Sequence, residues 1–391
     1  MTGLGPVAMG LNYTPSKGWF HSWAHPDWGK IDEDFAAIAS LGADHIRIFP
    51  LWPLLQPNRS YIDAEALKNV RTMVDRAGEH GLDVSVDCLQ GHLSSYDFLP
   101  SWLTSWHRTN LFTDPRALEG QEALVGAICR EIKGAENCTG VTLGNEFIQF
   151  AAPRHPFRHE VDAAGARAWT ERLLAAARDA WPEGHHHHSY DDDLWFIDDH
   201  PFTPDLAELG DSTTVHSWVF MAAGRALGKD HPALPAFARY LIELACAWSD
   251  KPIWLQEVGA PITWVDDAPA FVEGTCAAVG DHPRLAGITW WCSHDVSPTL
   301  ADFPNLEYHL GLISPDNEIK PAGQAFTREV EKMPERRRTA SEDWAQLDAL
   351  VVPSDPARRS LAAPGSATFF RWAESWAQGQ PLRLTREDSM A

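Results

Sequence analysis

Two glutamates, Glu146 and Glu257, each come directly after a hydrophobic stretch that has the composition of a buried strand. A carboxylate in such a place costs free energy unless it is hydrogen-bonded or has a function. Two carboxylates that face each other across a pocket suit the hydrolysis of a glycosidic bond, in which one protonates the leaving oxygen and the other attacks the anomeric carbon. The alternative, equally well supported for either glutamate alone, is a salt bridge that anchors a loop.

The aromatic composition also favours a carbohydrate ligand. The chain has 18 Trp but only 6 Tyr and 6 Met, and many of the Trp residues lie in stretches that resemble loops. A flat apolar ring with a polar edge suits stacking on a sugar, whereas a large barrel also packs Trp between its helices and strands. The excess as a whole favours the carbohydrate site.

The elements that must position these residues alternate between strands and amphipathic helices, which is typical of a parallel sheet. Eight candidate strands span residues 7–13, 45–52, 82–89, 140–144, 185–190, 213–219, 252–258 and 285–292. Seven candidate helices span residues 31–41, 64–79, 116–132, 163–180, 236–247, 268–279 and 321–330. We therefore predict an α/β fold, a (β/α)₈ TIM barrel. A doubly wound sheet is disfavoured because no glycine-rich phosphate loop follows the first strand.

In a (β/α)₈ barrel the active site lies at the carboxyl ends of the strands. Polar or aromatic residues end six of the candidate strands: Arg47, His92, Asn145 with Glu146, His216 with Trp218, Glu257, and Trp290 with Trp291. Because the fourth and seventh strands lie nearly opposite each other, we expect Glu146 and Glu257 to flank a bound sugar.

The composition changes after residue 331, and the charged run 335–338 has the character of a linker. Residues 349–352, 368–377 and 381–384 then predict one strand–helix–strand unit. A segment of about 60 residues is too short for a secure core of its own. We therefore predict a catalytic barrel over residues 1–331 and a C-terminal extension over 332–391. The extension is expected to pack on the barrel or on a second subunit, which would make a homo-oligomer.

Charge and cysteine content exclude several kinds of partner. The 391 residues carry a formal net charge of −22, which argues against a nucleic acid or an anionic membrane surface as partner. The 6 cysteines have no CxxC spacing and indicate buried free thiols in a reducing compartment. The N-terminus lacks the pattern of a signal peptide, and no stretch approaches the roughly 18 apolar residues of a membrane span. We expect a soluble cytoplasmic protein.

The residues around both glutamates resemble a known family. The segments LGNE at residues 143–146 and WLQE at residues 254–257 look like the acid/base and nucleophile motifs of the glycoside hydrolase clan A barrels, specifically family 5. The resemblance covers about residues 5–331. It implies a retaining β-glycosidase in which Glu257 is the nucleophile and Glu146 is the general acid and then the general base.

Other positions match the same family one by one. The resemblance implies that Arg47 holds the nucleophile and that Asn145 bonds the sugar 2-hydroxyl group. It identifies His92 and His216 with the histidines of strands three and six. It also implies an aromatic floor at Trp291, to which we add the neighbouring Trp290 as a second stacking residue. This chemistry requires a raised pKa at Glu146 and an ionised Glu257 assisted by the arginine.

One departure from the family pattern lies in strand six. The family has His-x-Tyr there, and its tyrosine bonds the nucleophile, whereas this chain has HSW at residues 216–218. An indole N–H donates one hydrogen bond but accepts none. Because an indole is bulkier than a phenol, we expect Trp218 to be a wall of the sugar pocket and not a support for Glu257.

A narrower resemblance concerns the substrate. The segments 11–23, 46–60 and 86–103 look like the intracellular subfamily-18 branch of family 5. This resemblance implies an exo-β-mannosidase that cuts the Man-β-1,4-GlcNAc linkage of the N-glycan core. The Trp-bearing segments 16–28 and 93–107 would wall off one end of the groove. An endo-β-mannanase or a β-glucosidase remains the alternative within the family. A sugar-binding pseudoenzyme is a further alternative, against which the intact Glu146 and Glu257 speak.

A run of four histidines at residues 185–188, followed by the acidic run 191–193, is the main candidate for a metal site. A metal-dependent barrel hydrolase is accordingly the second enzyme class. In a strand, however, alternate side chains point to opposite faces, so at most two of the four histidines enter the barrel. We predict no metal and no cofactor, and we expect one of these histidines to line the sugar pocket together with Asp191 or Asp192, of which we choose Asp191.

Overall fold

The protein, seen in a computed structural model that describes residues 5–107, 109–338 and 342–390, is built around eight parallel strands. The strands are β1 (Ala8–Asn12), β2 (His45–Ile48), β3 (Asp83–Asp87), β4 (Cys138–Thr142), β5 (His185–His187), β6 (Thr213–Ser217), β7 (Ile253–Val258) and β8 (Leu285–Trp290). Their order in the sheet is β5-β4-β3-β2-β1-β8-β7-β6, and every neighbouring pair is parallel. The predicted TIM barrel and its eight strands are confirmed.

The barrel closes between β5 and β6 through loop and side-chain contacts. The Asp211 amide donates to the His186 carbonyl at 2.9 Å, and the His186 amide donates to Asp211 Oδ2 at 2.7 Å. The Thr214 hydroxyl, on β6, donates to the His188 carbonyl at 3.2 Å. These bonds bring the end of β5 beside β6, so the carboxyl ends of all eight strands surround one opening.

Helices surround the barrel. They are α1 (Trp28–Ser40), α2 (Ala64–Glu79), α3 (Pro115–Ile132), α4 (Ala163–Ala180), α5 (Phe237–Trp248), α6 (Ala268–Val279), α7 (Pro321–Arg338) and, in the C-terminal segment, α8 (Ala367–Ala377). Single turns of helix lie at Trp52–Leu55, Asp193–Phe196 and Ala223–Leu227. Short 3₁₀ segments lie at Trp19–Ala24, Phe147–Ala151, Pro204–Glu208, Asn305–Tyr308, Glu342–Gln346, Pro356–Ala362 and Glu387–Met390.

Apolar spacing and aspartate caps explain where the helices form. In α1, Ile31, Phe35 and Ile38 are buried on one face, as their spacing of three and four residues predicts. Five helices have an aspartate N-cap whose carboxylate accepts a backbone N–H from the first turn: Asp27, Asp63, Asp114, Asp162 and Asp267. An N-cap of this kind satisfies one of the free amide donors at the start of a helix.

The predicted linker at residues 335–338 is wrong, because α7 continues through it to Arg338. The side chain of Arg336 forms a 2.7 Å ion pair with the buried Glu329, and Arg337 donates to the His282 carbonyl at 2.8 Å. Basic residues in the last turn also suit the negative end of the helix dipole. The division into a barrel of residues 1–331 and an extension of residues 332–391 stays a prediction.

The C-terminal segment packs on the barrel. It contains the parallel strands β9 (Ala349–Val352) and β10 (Arg383–Arg386), with α8 between them in the chain. The Tyr240 hydroxyl, on α5, donates to the Ala362 carbonyl at 2.6 Å. The buried Arg359 guanidinium donates to the carbonyls of Ile197, His200 and Phe202. Within the described ranges, no helix combines the length and apolar character that crossing a bilayer requires.

Candidate active site

A cavity of about 400 Å³ opens at the carboxyl ends of the strands. Its walls are His92, Ser94, Ser95, Asp97, Asn145, Glu146, Gln149, Arg154, His155, Pro156, Asp191, Asp192, Trp218, Phe220, Met221, Glu257, Trp291, Leu306, Glu307 and Leu310. Seven of the ten sequence-predicted site residues therefore lie on its surface. Two more, Arg47 and His216, lie directly behind it and contact Glu257.

Glu146 and Glu257 face each other at the floor of the cavity. Glu146 follows β4 with φ = 43°, a left-handed conformation that is uncommon outside glycine, and Glu257 lies in β7. One carboxylate oxygen of each glutamate and one ring nitrogen of His216 all lie within 4.8 Å of one another. In retaining glycosidases the two carboxyl groups are about 5–5.5 Å apart, and in inverting enzymes they are about 6.5–9.5 Å apart. Oxygens this close fit the shorter separation of the retaining enzymes.

Arg47 holds Glu257 in a fixed position. Its NH1 atom donates to Glu257 Oε1 at 2.8 Å, and both groups are buried. The guanidinium is itself gripped by Asp87, which accepts from Nε at 2.6 Å and from NH2 at 3.1 Å. A bidentate pair of this kind is both strong and directional. Asp87 lies inside the third candidate strand, residues 82–89, but the sequence analysis assigned it no role.

The same guanidinium also orients Asn145. Arg47 NH2 donates to Asn145 Oδ1 at 2.7 Å and to Ser189 Oγ at 3.0 Å. Because Arg47 occupies the amide oxygen, the amide NH₂ group of Asn145 remains for other partners, and it lies 3.4 Å from the His92 carbonyl. Ser189 comes shortly after strand β5, and apart from this position nothing in the sequence indicated that it contacts the arginine.

His216 lies between the two glutamates. Its Nδ1 is 2.9 Å from Glu146 Oε1 and 3.4 Å from Glu257 Oε2. Its Nε2 is 3.0 Å from Gln256 Oε1, whose amide nitrogen donates to Thr142 at 3.2 Å. Oxygen acceptors thus face both ring nitrogens, which is the environment that suits a protonated imidazole.

The pKa values of these three groups are linked. Burial raises the pKa of Glu257 despite the opposing charges of His216 and Arg47. Burial would also raise the pKa of Glu146, but the hydrogen bond and charge of His216 outweigh it, so that pKa is lowered. The pKa of His216 is raised because the two carboxylates outweigh its burial. The direction for Glu146 is thus opposite to the expected one, and the raised pKa of His216 favours that ring as the site of the proton that the two groups share.

Trp218 both lines the cavity and supports Glu257. Its Nε1 donates to Glu257 Oε2 at 3.4 Å, while its ring forms part of the cavity wall. The expectation that it is only a wall is thus corrected. Gly259 makes room for the larger ring, because a Cβ there would lie 2.8 Å from Trp218 Cζ3 and 2.8 Å from the Trp291 carbonyl oxygen.

The two neighbouring tryptophans at the end of β8 have different surroundings. Trp291 lines the cavity, 6.4 Å from the Trp218 ring centre. Trp290 is fully buried, and its ring faces Phe271 of α6 at 6.4 Å. The prediction that Trp290 contacts the sugar is wrong, because successive side chains of a strand point to opposite faces.

His92 and Asp191 both reach the cavity, each in a charged cluster. His92 Nδ1 is 3.0 Å from Asp97 Oδ1, and His155 Nε2 is 3.0 Å from Asp97 Oδ2. Asp191 Oδ2 lies 3.6 Å from Arg154 NH2, and its Oδ1 is buried without a hydrogen-bond partner in the described part of the chain. Burial, with added repulsion from neighbouring carboxylates, raises the pKa of Asp191 well above its ordinary value.

An aromatic wall, formed by Trp19, Tyr96 and Phe303, lies behind the part of the cavity surface that Ser94, Ser95 and Leu306 line. A hairpin with strands His92–Leu93 and Tyr96–Asp97 follows β3 and meets the loop after β8. The Tyr96 hydroxyl donates to the Asp302 carbonyl at 2.7 Å, and the Tyr96 ring is 5.2 Å from Phe303. Trp19, from the loop after β1, packs on the same Phe303 at 4.7 Å. The segments after strands one and three therefore meet at this wall.

Three of the four histidines at residues 185–188 have separate partners. His186 contacts the Trp181 carbonyl at 2.8 Å, His187 contacts the Ser212 hydroxyl at 2.9 Å, and His188 contacts the Thr214 hydroxyl at 2.8 Å. Among the residues that the structure describes, the groupings able to hold a cation are Glu146–His216–Glu257 and the aspartates 191–193, and neither includes these histidines. The expectation that one histidine of the run lines the sugar pocket is wrong, because none of the four lies on the cavity wall, whereas Asp191 and Asp192 both do.

No family model and no curated protein matches the sequence. Solved structures do match. A variant of the GH5_18 protein from Streptomyces cattleya, in complex with Manβ1-4GlcNAc, is 43% identical over 98% of this chain and 94% of that chain, with a TM-score of 0.95. The GH5_18 protein from Bifidobacterium longum subsp. infantis is 41% identical over 98% and 93% of the two chains, with a TM-score of 0.93.

A third structure comes from Bifidobacterium longum subsp. longum ATCC 55813, also as a GH5_18 variant in complex with Manβ1-4GlcNAc. It is 40% identical over 98% of this chain and 92% of that chain, with a TM-score of 0.92. Identity at this level over nearly the whole length shows the family. The chain is a glycoside hydrolase and belongs to family 5, subfamily 18.

Proposed function

We propose that this protein is a retaining exo-β-mannosidase that hydrolyses Manβ1-4GlcNAc by double displacement. The observation that carries the mechanism is the pair of carboxylates, Glu146 and Glu257, with oxygens within 4.8 Å of each other. The substrate is supported by the relatives from Streptomyces cattleya and Bifidobacterium longum, which were solved with this disaccharide bound.

In the first step the Glu257 carboxylate attacks the anomeric carbon of the mannose. Arg47 and Trp218 hold this carboxylate by one oxygen each, at 2.8 and 3.4 Å. The bond to the leaving oxygen breaks as Glu146 donates a proton to that oxygen. His216, with Nδ1 2.9 Å from Glu146 Oε1, is close enough to pass this proton to Glu146. The products of the step are GlcNAc and a mannosyl ester of Glu257.

In the second step the ester is hydrolysed. Glu146, now a carboxylate, takes a proton from a water molecule as that water attacks the anomeric carbon from the side the leaving group vacated. The C–O bond to Glu257 breaks, and the glutamate regains its charge beside Arg47. Two inversions at one carbon leave the β configuration unchanged. Asn145, whose amide oxygen is held by Arg47 at 2.7 Å, presents its NH₂ group to the 2-hydroxyl group.

The aromatic wall supports exo action. The hairpin after β3 and the loop after β8 are joined by the hydrogen bond from Tyr96 to the Asp302 carbonyl. An end closed by such a junction suits a terminal sugar and not the middle of a longer chain. An endo-β-mannanase needs an open groove at this end, so the wall disfavours that alternative. The substrate of a β-glucosidase differs from a β-mannoside only in the orientation of the 2-hydroxyl group, so the wall does not distinguish these two activities.

Two variants test the assignment of roles. Glu257→Ala should lose nearly all activity on 4-nitrophenyl β-mannoside, and azide should restore part of it by forming the α-mannosyl azide. Glu146→Ala should retain more activity on this substrate, because nitrophenolate leaves without a proton, and azide should then give the β-mannosyl azide. An inverted sugar from the wild-type enzyme would contradict the proposal. Parallel assays with the β-glucoside and with Manβ1-4GlcNAc decide between sugars.

Three finer features belong to the same proposal. The disaccharide points to the N-glycan core as its source. The net charge of −22 supports a protein that contacts neither nucleic acid nor membrane, and the free cysteines support a reducing, cytoplasmic compartment. Self-association through the C-terminal extension is supported by exposed apolar residues on it: Val351, Leu361 and Phe370. Fractionation of the source cells and light scattering of the purified protein test location and oligomeric state.

A further inference from the structure

One carboxyl group on the cavity wall takes no part in the proposed reaction. Glu307 lies in the 3₁₀ segment Asn305–Tyr308 of the loop after β8, and its residue surface is only 9% exposed. Burial, joined by the negative charge of Glu257, raises its pKa to about 7. A buried carboxyl group without a structural ion pair calls for an explanation, since burial without a partner is costly.

Glu307 lies at the aromatic wall. It lies between Phe303 and Tyr308 in the loop after β8, whose rings are 6.0 Å apart, and it lines the cavity beside Leu306. In the exo mode proposed above, the closed end of the cavity holds the terminal sugar. We therefore expect Glu307 on the glycone side.

A second polar group without a partner lies beside Glu307. The Oγ atom of Ser94, in the hairpin after β3, is buried and has no hydrogen-bond partner in the described residues. It is nevertheless close enough to Glu307 to lower its pKa in part. Ser94 and Ser95 both have positive φ, 48° and 69°, which non-glycine residues adopt only at a cost. The turn thus places the Ser94 hydroxyl group next to the Glu307 carboxyl group, and neither group has a role in the reaction proposed above.

We propose that Glu307 and Ser94 bind the free 4-hydroxyl group of the terminal mannose and thereby select the end of a β-1,4-linked chain. This inference rests on the function proposed above. C4 lies across the sugar ring from C1, so its hydroxyl group points away from the leaving group and toward the closed end. The 4-hydroxyl donates a hydrogen bond to the Glu307 carboxyl group and accepts one from Ser94. A chain extended at O4 would lose the first bond and meet the wall.

The test pairs enzyme variants with a substrate that lacks the hydroxyl. We expect the wild-type enzyme to cleave the 4-deoxy analogue of 4-nitrophenyl β-mannoside with a kcat/KM about 10–100-fold below that of the parent compound, as for a lost hydrogen bond to a charged group. Glu307→Ala should lower kcat/KM for the parent compound by a similar factor, and its kcat/KM for the 4-deoxy analogue should equal that of the wild-type enzyme for the same analogue. Glu307→Gln, which keeps one acceptor oxygen, should retain more of the parent activity. The exposed Glu318 provides the control, since Glu318→Ala should behave as wild type.

Equal losses on the 4-deoxy analogue in wild type and in Glu307→Ala would overturn the inference, because the residue and the hydroxyl would then act independently. If Glu307→Ala does not fold, as judged by its circular dichroism, Glu307→Gln and Ser94→Ala carry the same comparison. The 6-deoxy analogue is the control substrate: the ratio of its kcat/KM to that of the parent compound should be the same in the wild-type enzyme and in every variant. A wild-type enzyme that cleaves no β-mannoside would instead contradict the proposed function, so the two failures are distinguishable.

Discussion

Replacing Trp218 with phenylalanine removes one hydrogen-bond donor from Glu257 and leaves most of the apolar cavity wall in place. A hydrogen bond to a charged group contributes about 1.5–3 kcal/mol. The 3.4 Å between Trp218 Nε1 and Glu257 Oε2 is long for such a bond, so the lower end, about 1.5 kcal/mol, applies. At about 1.36 kcal/mol per unit, the pKa of Glu257 should rise by about one unit.

The sign follows from which form the donor stabilises. The indole N–H stabilises the carboxylate, so its loss favours the protonated acid and moves the acidic limb of the kcat/KM profile to higher pH. The basic limb reports loss of the proton shared by His216 and Glu146. It should lie above about pH 6.5, because the pKa of His216 is raised, and it should not move in this variant.

The pH dependence of kcat/KM for 4-nitrophenyl β-mannoside measures both limbs. Trp218→Tyr is the matched control, because it returns an O–H donor to the same position and should bring the acidic limb back toward its wild-type place. An acidic limb that stays where it was in Trp218→Phe, with only KM changed, would refute the reasoning and make the indole a wall alone.

Three further predictions concern the same cavity. Trp291→Ala should raise KM about 10-fold or more because a stacking surface is lost. Trp290→Phe should lower Tm but leave KM and kcat unchanged, because Trp290 is a core residue. Equal effects of the two variants on KM would show that both rings contact the sugar. Gly259→Ala should reduce kcat/KM about 10-fold. The new methyl group would lie 2.8 Å from the Trp218 ring and would displace the indole at a cost of about 1–3 kcal/mol. Wild-type kinetics would mean that the loop shifts instead. Dialysis against a strong chelator should leave activity unchanged because the two carboxylates supply acid and nucleophile, and recovery with zinc after a loss would instead favour the metal-dependent alternative.

The strand and helix pattern was predictable because most of the helices are long and periodic, and because the short strands between them lie in hydrophobic runs. Helices α2, α4 and α6 begin and end at the predicted residues, each after an aspartate N-cap. The linker failed because composition alone does not show that Glu329 and the His282 carbonyl hold the arginines of the last helical turn. The assignment of Trp290 failed for a different reason: two adjacent tryptophans were treated alike although a strand points them to opposite faces.

The sequence by itself determined the barrel and the presence of Glu146 and Glu257 in it, because a carboxylate that ends a buried strand is visible as a break in a hydrophobic run. Tertiary structure alone decided how these groups are charged and what surrounds them. His216 lies 70 residues from Glu146 in the chain yet 2.9 Å away in space, and it reverses the expected direction of that pKa. Glu307 and Ser94 come from two loops that only folding brings together. Such contacts depend on distances across the barrel mouth between residues that are far apart in the chain, so they cannot be predicted from local composition.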